Sequence, residues 1–260
     1  MKKPRILLLD LETVPHVGTF WQLKVDGYLS PQNILREAYI LCAAWKWLGK
    51  KKIHAAKSRV RTDLADNAAF PDMPVLKALH QAFSQADAIV AQNGDDFDIP
   101  WVWSRVLLAG LGPLPPVIQI DTLKILRKHF NFPSNKLDYV AQRLGCGKKL
   151  KTDFDLWLNV MKGDPAAYAK MIRYNKHDVR LLEKVYRKLA PFTPARLNAA
   201  LFSDDEERTC PSPTCGKRTL VRRGTAYTTT RPWRRYQCST CGHWCKKPMR
   251  SKLAGKKIPR

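Results

Sequence analysis

An apolar run of four residues, Ile6 to Leu9, breaks off on two carboxylates, Asp10 and Glu12. Read as a strand that runs on into the acids, it carries them at i and i+2, so both side chains leave one face. Two further segments supply one acid each: Asp98 in "AQNGDDFDIP" and Asp178 in "YNKHDV". Asp98 follows an apolar stretch at a strand-to-helix boundary, where α/β folds place their sites. Asp178 shares a predicted helix face with Tyr174, four residues earlier. Each backbone period can thus aim its acid at one shared spot. Carboxylates so grouped repel one another and persist mainly where divalent cations such as Mg²⁺ neutralise them. Two such ions side by side suit in-line attack on a phosphodiester.

The remainder of the chain is the opposite in sign. Forty-six Lys and Arg face 22 Asp and Glu, a formal net charge of +24 over 260 residues. That excess suits a polyanionic partner, whose counterions are released on binding. A membrane-surface role is disfavoured, because no basic amphipathic helix with a clean apolar face stands out. The start "MKKPRILLL" imitates a secretory leader, but its apolar run is too short for a signal core. No stretch approaches the ~18 apolar residues of a membrane span. A soluble, cytoplasmic protein is expected, in a compartment that keeps thiols reduced. Cys42 and Cys146 are isolated and read as small buried residues.

The length fits one large domain and a small module. Strands are expected at Ile6–Leu9, Ala38–Leu48, Lys52–Lys57 and Ala88–Ala91, with a further strand entering "IDTLKIL". Helical spacing covers 73–86, Pro100–Ala109, Lys136–Leu144, Phe154–Met161 and Pro165–Leu189. Asp121 is well placed to cap the helix that follows it. The order implies an α/β layered domain with a mixed sheet. From Arg208 onward there are 15 Lys or Arg and no acid, which marks a boundary near residues 200–208. The expected division is a first domain at 1–195, a linker at 196–208, a cysteine module at 209–250 and a basic tail at 251–260.

The residues "DLET" at 10–13, "NGDDFD" at 93–98 and "YNKHD" at 174–178 resemble the three exonuclease motifs of the DEDD superfamily. These are DnaQ-like 3′–5′ exonucleases with a ribonuclease H-like fold. The Tyr-x-x-x-Asp spacing resembles the DEDDy branch, which includes proofreading domains of family B polymerases. The likeness runs over about residues 4–190. It implies a mixed sheet flanked by helices, with Asp10, Glu12, Asp98 and Asp178 holding two Mg²⁺ or Mn²⁺ ions. It also implies that Tyr174 orients the attacking water and that Thr13 and Asn93 lie against the nucleic acid. A histidine often precedes the asparagine of the second motif; here it is Gln92. Turn formation is the competing role for Asn93. Asp95 and Asp96 are neighbouring acids, and Asp121 and His177 have adequate structural readings as cap and surface residue. Trp101 and Trp103 read as helix core, while Trp21 and Tyr28 are weak candidates for wedging against a nucleotide.

Five of the seven cysteines lie between Cys210 and Cys245. Cys210-x4-Cys215 and Cys238-x2-Cys241 are each followed by glycine, which permits the tight turn beneath tetrahedral thiolates. In a reducing compartment this pattern favours one structural Zn²⁺ over disulfides. The segment resembles a zinc ribbon, small and β-rich, with Cys245 and His243 left over. Arg222, Arg223, Arg231, Arg234 and Arg235, interleaved with Tyr227, Trp233 and Tyr236, are expected to form a nucleic-acid face.

These readings converge on a metal-dependent 3′–5′ exonuclease acting on nucleic acid, DNA favoured, at a single-stranded or frayed 3′ end. The length leaves no room for an accompanying polymerase region. Two alternatives stand beside it: a ribonuclease H-like endonuclease on branched or RNA-containing substrates, and a non-catalytic DNA-binding protein.

Overall fold

A computed structural model describes residues 3–21, 30–63, 69–193 and 195–249. Tyr28 and the tail at 251–260 lie outside them. The elements run β1 (Ile6–Thr13), β2 (Val17–Gly18), β3 (Ile34–Arg36), β4 (Ile40–Trp47), β5 (His54–Lys57), α1 (Met73–Phe83), β6 (Ala88–Ala91), α2 (Asp98–Leu108), β7 (Ile118–Asp121), α3 (Thr122–His129), α4 (Leu137–Arg143), α5 (Phe154–Met161) and α6 (Pro165–Leu189). Three strands follow: β8 (Leu220–Tyr227), β9 (Pro232–Cys238) and β10 (Trp244–Pro248). Two compact units result, Arg5–Tyr186 and a second built from Arg187 onward.

The first unit is organised around β1. The five-stranded sheet has the order β5-β4-β1-β6-β7. β1 pairs antiparallel with β4 and parallel with β6, so the sheet is mixed as expected. Pleating sends Leu7, Leu9 and Leu11 to one side, where they pack with Val75, Leu79 and Phe83 of α1 and Val102 of α2. On the other face Leu41 and Cys42 of β4 meet Leu156 of α5 and Met171 and Tyr174 of α6. Helices therefore cover both faces. A register shift between Glu12 and Thr13 places Thr13 at a bulge, a device that re-aims side chains where a strand ends.

Two buried ion pairs pin this layering. Arg105 of α2 meets Asp72 in a bidentate pair at 2.6 and 2.7 Å, and Asp72 Oδ2 also accepts from the Ile40 amide. Lys46 of β4 pairs with Glu183 of α6. Neither device is visible in hydrophobic periodicity.

Helix α2 starts two residues earlier than its sequence pattern suggested, at Asp98 itself. The two-stranded β2–β3 ladder was not anticipated; it is only two or three residues per strand, too short to show alternation. In the second unit β8, β9 and β10 form an antiparallel sheet in the order β10-β9-β8.

Candidate active site

The sheet and α6 bring three of the acids together. Asp10 and Glu12 leave β1 on the side where Glu12 faces Cys42 across the ladder, and Cys42 packs in the α6-side core. One oxygen from each of Asp10, Glu12 and Asp178 lies within 4.8 Å of the others. Asp98 stands beside this group in a different way. It is buried at the start of α2, and its Oδ1 accepts the Leu11 amide at 3.0 Å, between the two β1 acids. Asn175 holds Asp10 by donating its Nδ2 to Oδ2 at 2.6 Å and to the main-chain carbonyl at 3.0 Å. The buried Cys42 thiol backs Asn175.

Burial raises the pKa values of all four carboxyls, and neighbouring acids add to the rise in Asp10, Glu12 and Asp98. Burial, then the Asp178 charge, pushes Asp10 up to about 7, against the pull of Lys149 and Asn175. Burial and Asp10 push Glu12 up to about 9. Asp98 is driven well above the carboxylate range by burial and Asp10. Asp178 is raised by burial despite Lys149. Four oxygen-donor groups that resist ionisation together form a site that positive charge completes.

The chain supplies one such charge, Lys149, which the sequence reading passed over. Its Nζ lies 2.6 Å from Asp178 Oδ2 and donates to the Tyr174 hydroxyl at 3.0 Å. Beyond that ion pair, neither Asp178 oxygen has a hydrogen-bond partner among the described residues. Burial alone would lower the Lys149 pKa, but Asp178 and Tyr174 outweigh it and the net shift is upward. Three ties hold the segment that carries this lysine. The Lys149 amide donates to Asp138, Lys184 donates to the Cys146 carbonyl, and His177 Nε2 donates to the Lys148 carbonyl at 2.8 Å. His177 thus has a definite job as an anchor. Tyr174 is further fixed by the edge of Trp157.

The second acidic segment is shaped by its backbone. Asn93 takes a left-handed conformation, φ 64°, which asparagine tolerates, and a side chain at Gly94 would collide with that of Ala91. Asp121 caps α3 through the Leu123 amide and also accepts the amides of Asn93 and Asp95. Gln92 ties this turn to Thr122 and to the Asn135 carbonyl. Asp95 and Asp96 pair with Lys124 at the surface. A cleft of about 570 Å³ adjoins, lined by Asn93, Arg127, Asn135, Lys136, Asp138 and Lys149.

Residues 40–190 match the family described as the RNase H superfamily. The chain belongs to the RNase H superfamily. Asp98, Tyr174 and Asp178 of this RNase H superfamily chain fall within the matched span, while Asp10 and Glu12 precede it. No curated protein matches. Among solved structures, the family B DNA polymerase of the hyperthermophilic archaeon Pyrobaculum calidifontis is similar at 16% identity and a TM-score of 0.56, over 88% of this chain and 31% of that one. Such a likeness speaks to the fold.

The aromatic candidates of this RNase H superfamily chain separate clearly. Trp101 packs partly against the core and meets Phe97 edge-on. Trp103, expected in the core, is 39% exposed, and Trp21 is fully exposed. Among the described residues no helix is long and apolar enough to cross a membrane.

The second unit gathers Cys210, Cys215, Cys238 and Cys241, all free thiols. Four thiolates held tetrahedrally at about 2.3 Å from an ion stand about 3.8 Å apart. The Cys210–Cys241 and Cys215–Cys238 sulfurs are 3.7 and 3.8 Å apart, so the set fits such an ion. Gly216 and Gly242 take φ 58° and 77°, the left-handed turns that close each pair. His243 and Cys245 are not in the group.

The expected single basic face of this module is corrected by its register. Trp233 and Arg235 alternate along β9 with Arg234 and Tyr236 and so point to opposite faces. Arg222 pairs with Tyr236, and Lys246 with Arg235. Arg222, Arg234 and Tyr236 therefore share one face, and Trp233, Arg235 and Lys246 share the other. Arg223 lies in the β8 irregularity between Arg222 and Thr225. The Trp233 ring already carries Arg231 at 4.2 Å and Lys246 at 5.0 Å.

Proposed function

We propose that the protein is a divalent-metal-dependent 3′–5′ exonuclease of the DEDDy type, acting on nucleic acid with DNA favoured. The observation that carries this reading is the meeting of Asp10, Glu12 and Asp178 within 4.8 Å, with Asp98 fixed alongside through Leu11. Membership in the RNase H superfamily supports hydrolysis of nucleic acid, and the net charge of +24 supports a polyanionic substrate. On this reading residues 1–195 form the nuclease domain and 209–250 a zinc ribbon that aids substrate binding.

Asp10, Glu12, Asp98 and Asp178 would hold two Mg²⁺ or Mn²⁺ ions, which when bound activate water and stabilise the departing 3′ oxygen. Carboxylate oxygens drawn this close together suit hard cations. Tyr174 is pushed up to about 12 by burial and by Asp178, so near neutral pH it keeps its proton and orients water. Its oxygen accepts from Lys149, which holds the hydroxyl beside the acids. Asn175 keeps Asp10 in place. Cys210, Cys215, Cys238 and Cys241 would hold one Zn²⁺ with no open position, which makes that ion structural.

The test is degradation of end-labelled single- and double-stranded DNA and RNA with Mg²⁺, Mn²⁺ or neither. Asp10→Ala and Asp98→Ala should abolish stepwise 3′-end shortening while largely retaining binding. Full activity in both variants refutes the assignment. Digestion of circular or 3′-blocked strands would instead indicate an endonuclease.

A further inference from the structure

The second unit contains a cleft of about 670 Å³ that lies apart from the four-cysteine group. Arg235, Trp244 and Lys246 line it together with Asn198, Pro211 and His243. Register explains the first set. Trp244 pairs with Gln237 and Lys246 with Arg235, and positions 235 and 237 lie on one face of β9. Trp244 is 48% exposed, and the Arg235 guanidinium sits 5.3 Å from its ring centre. His243 is buried in the wall, and its Nδ1 has no hydrogen-bond partner among the described residues.

We propose that this cleft binds an unpaired nucleotide of a single-stranded polynucleotide, Trp244 stacking on the base while Arg235 and Lys246 meet the flanking phosphates. The proposal deepens the exonuclease reading and rests on its polynucleotide substrate. Charge selects a polyanion, since no acid occurs from Arg208 onward. The tryptophan selects among polyanions. An accessible ring in a recess offers a stacking surface to a base with a free face, and bases within a duplex have theirs covered. Cations beside the ring add to the same contact. Arg222, Arg234 and Tyr236, on the opposite face, do not line the cleft.

The test is fluorescence anisotropy with the full chain, without added Mg²⁺ or Mn²⁺, on a labelled oligo-dT strand and on a duplex of equal length. Zinc content is measured for every variant. Trp244→Ala should weaken single-strand binding about tenfold and leave duplex binding within about twofold, whereas Trp244→Phe should retain most of the affinity. Arg235→Gln with Lys246→Gln changes two exposed side chains, so it tests the cleft even if Trp244→Ala fails to fold. It should lower affinity about tenfold and reduce the salt slope by about two. Arg222→Gln with Arg234→Gln removes the same charge from the other face and should cost less than about threefold.

Three results overturn the cleft: unchanged single-strand affinity in the zinc-replete cleft variants, equal losses on strand and duplex, or a larger loss from the opposite face. Displacement of the strand by polyglutamate as readily as by unlabelled oligo-dT also overturns it, in favour of an acidic protein partner. A protein that binds as described but shortens no 3′ end would sink the exonuclease reading and leave the cleft standing.

Discussion

Replacing Glu12 by glutamine should make the metal-free protein more stable at alkaline pH. Glu12 is raised from 4.5 to about 9 by burial and by Asp10. An acid whose folded pKa is raised keeps its proton in the native state after the unfolded chain has released it. Its contribution is therefore complete below pH 4.5 and is lost as pH climbs toward 9. Each pH unit in that window removes about 1.4 kcal/mol, so the upper bound at pH 9 is about 6 kcal/mol. Solvent reaches this partly exposed carboxyl, which leaves an effect of about 1–2 kcal/mol. Glutamine keeps the shape and cannot ionise. Circular dichroism melts at pH 5 and pH 9, without added divalent metal, should show similar midpoints at pH 5. At pH 9 the transition of the α/β unit should lie about 3–6 °C higher in Glu12→Gln. Chelators are avoided, because they would also strip the cysteine site. Added Mg²⁺ should then raise the wild-type midpoint more than the variant's, since ligation stabilises only the state that binds. Parallel pH profiles, or a variant less stable at pH 9, would refute the picture of mutually strained carboxyls.

Asp72→Ala leaves Arg105 buried without its bidentate partner and should destabilise the α/β unit by about 3–5 kcal/mol, read from urea denaturation. Lys149→Met removes the ammonium that occupies Asp178, so thermal-shift titration should show half-maximal Mg²⁺ stabilisation at a lower concentration than in wild type. Cys210→Ser should release zinc, measured by metal analysis, and weaken polynucleotide binding while small chromogenic phosphodiesters are still cleaved; unchanged affinity would give the ribbon another purpose.

The parts of the fold legible in sequence are those governed by short periods. β6 at Ala88–Ala91 and α5 at Phe154–Met161 announce themselves through an apolar run and a 3.6-residue spacing. Asp10 and Glu12 share a face because a strand repeats every second residue, and Asp121 is a cap because its position and residue type agree. What stayed hidden depends on partners distant in the chain. Asn175 and Asp10 are 165 residues apart, and Asp72 meets Arg105 across 33. No local pattern records such pairings. The ribbon face shows the opposite failure: the basic and aromatic residues were seen, but treated as one set although strand alternation divides them.

Lys149 joins both lessons. The run "GKKLK" at 147–151 looks like an ordinary solvated basic turn, and only one of its lysines reaches the acids. Asp138, His177 and Lys184 decide which one, by holding the backbone at 146, 148 and 149. The ammonium then pairs with Asp178, and the pull it exerts on Asp10 and Glu12 opposes part of their rise. The ammonium thus offsets part of the repulsion among acids carried by three elements. The same lysine touches the Tyr174 hydroxyl and lines the neighbouring cleft, so the charge that offsets the acids also fixes the group proposed to orient water.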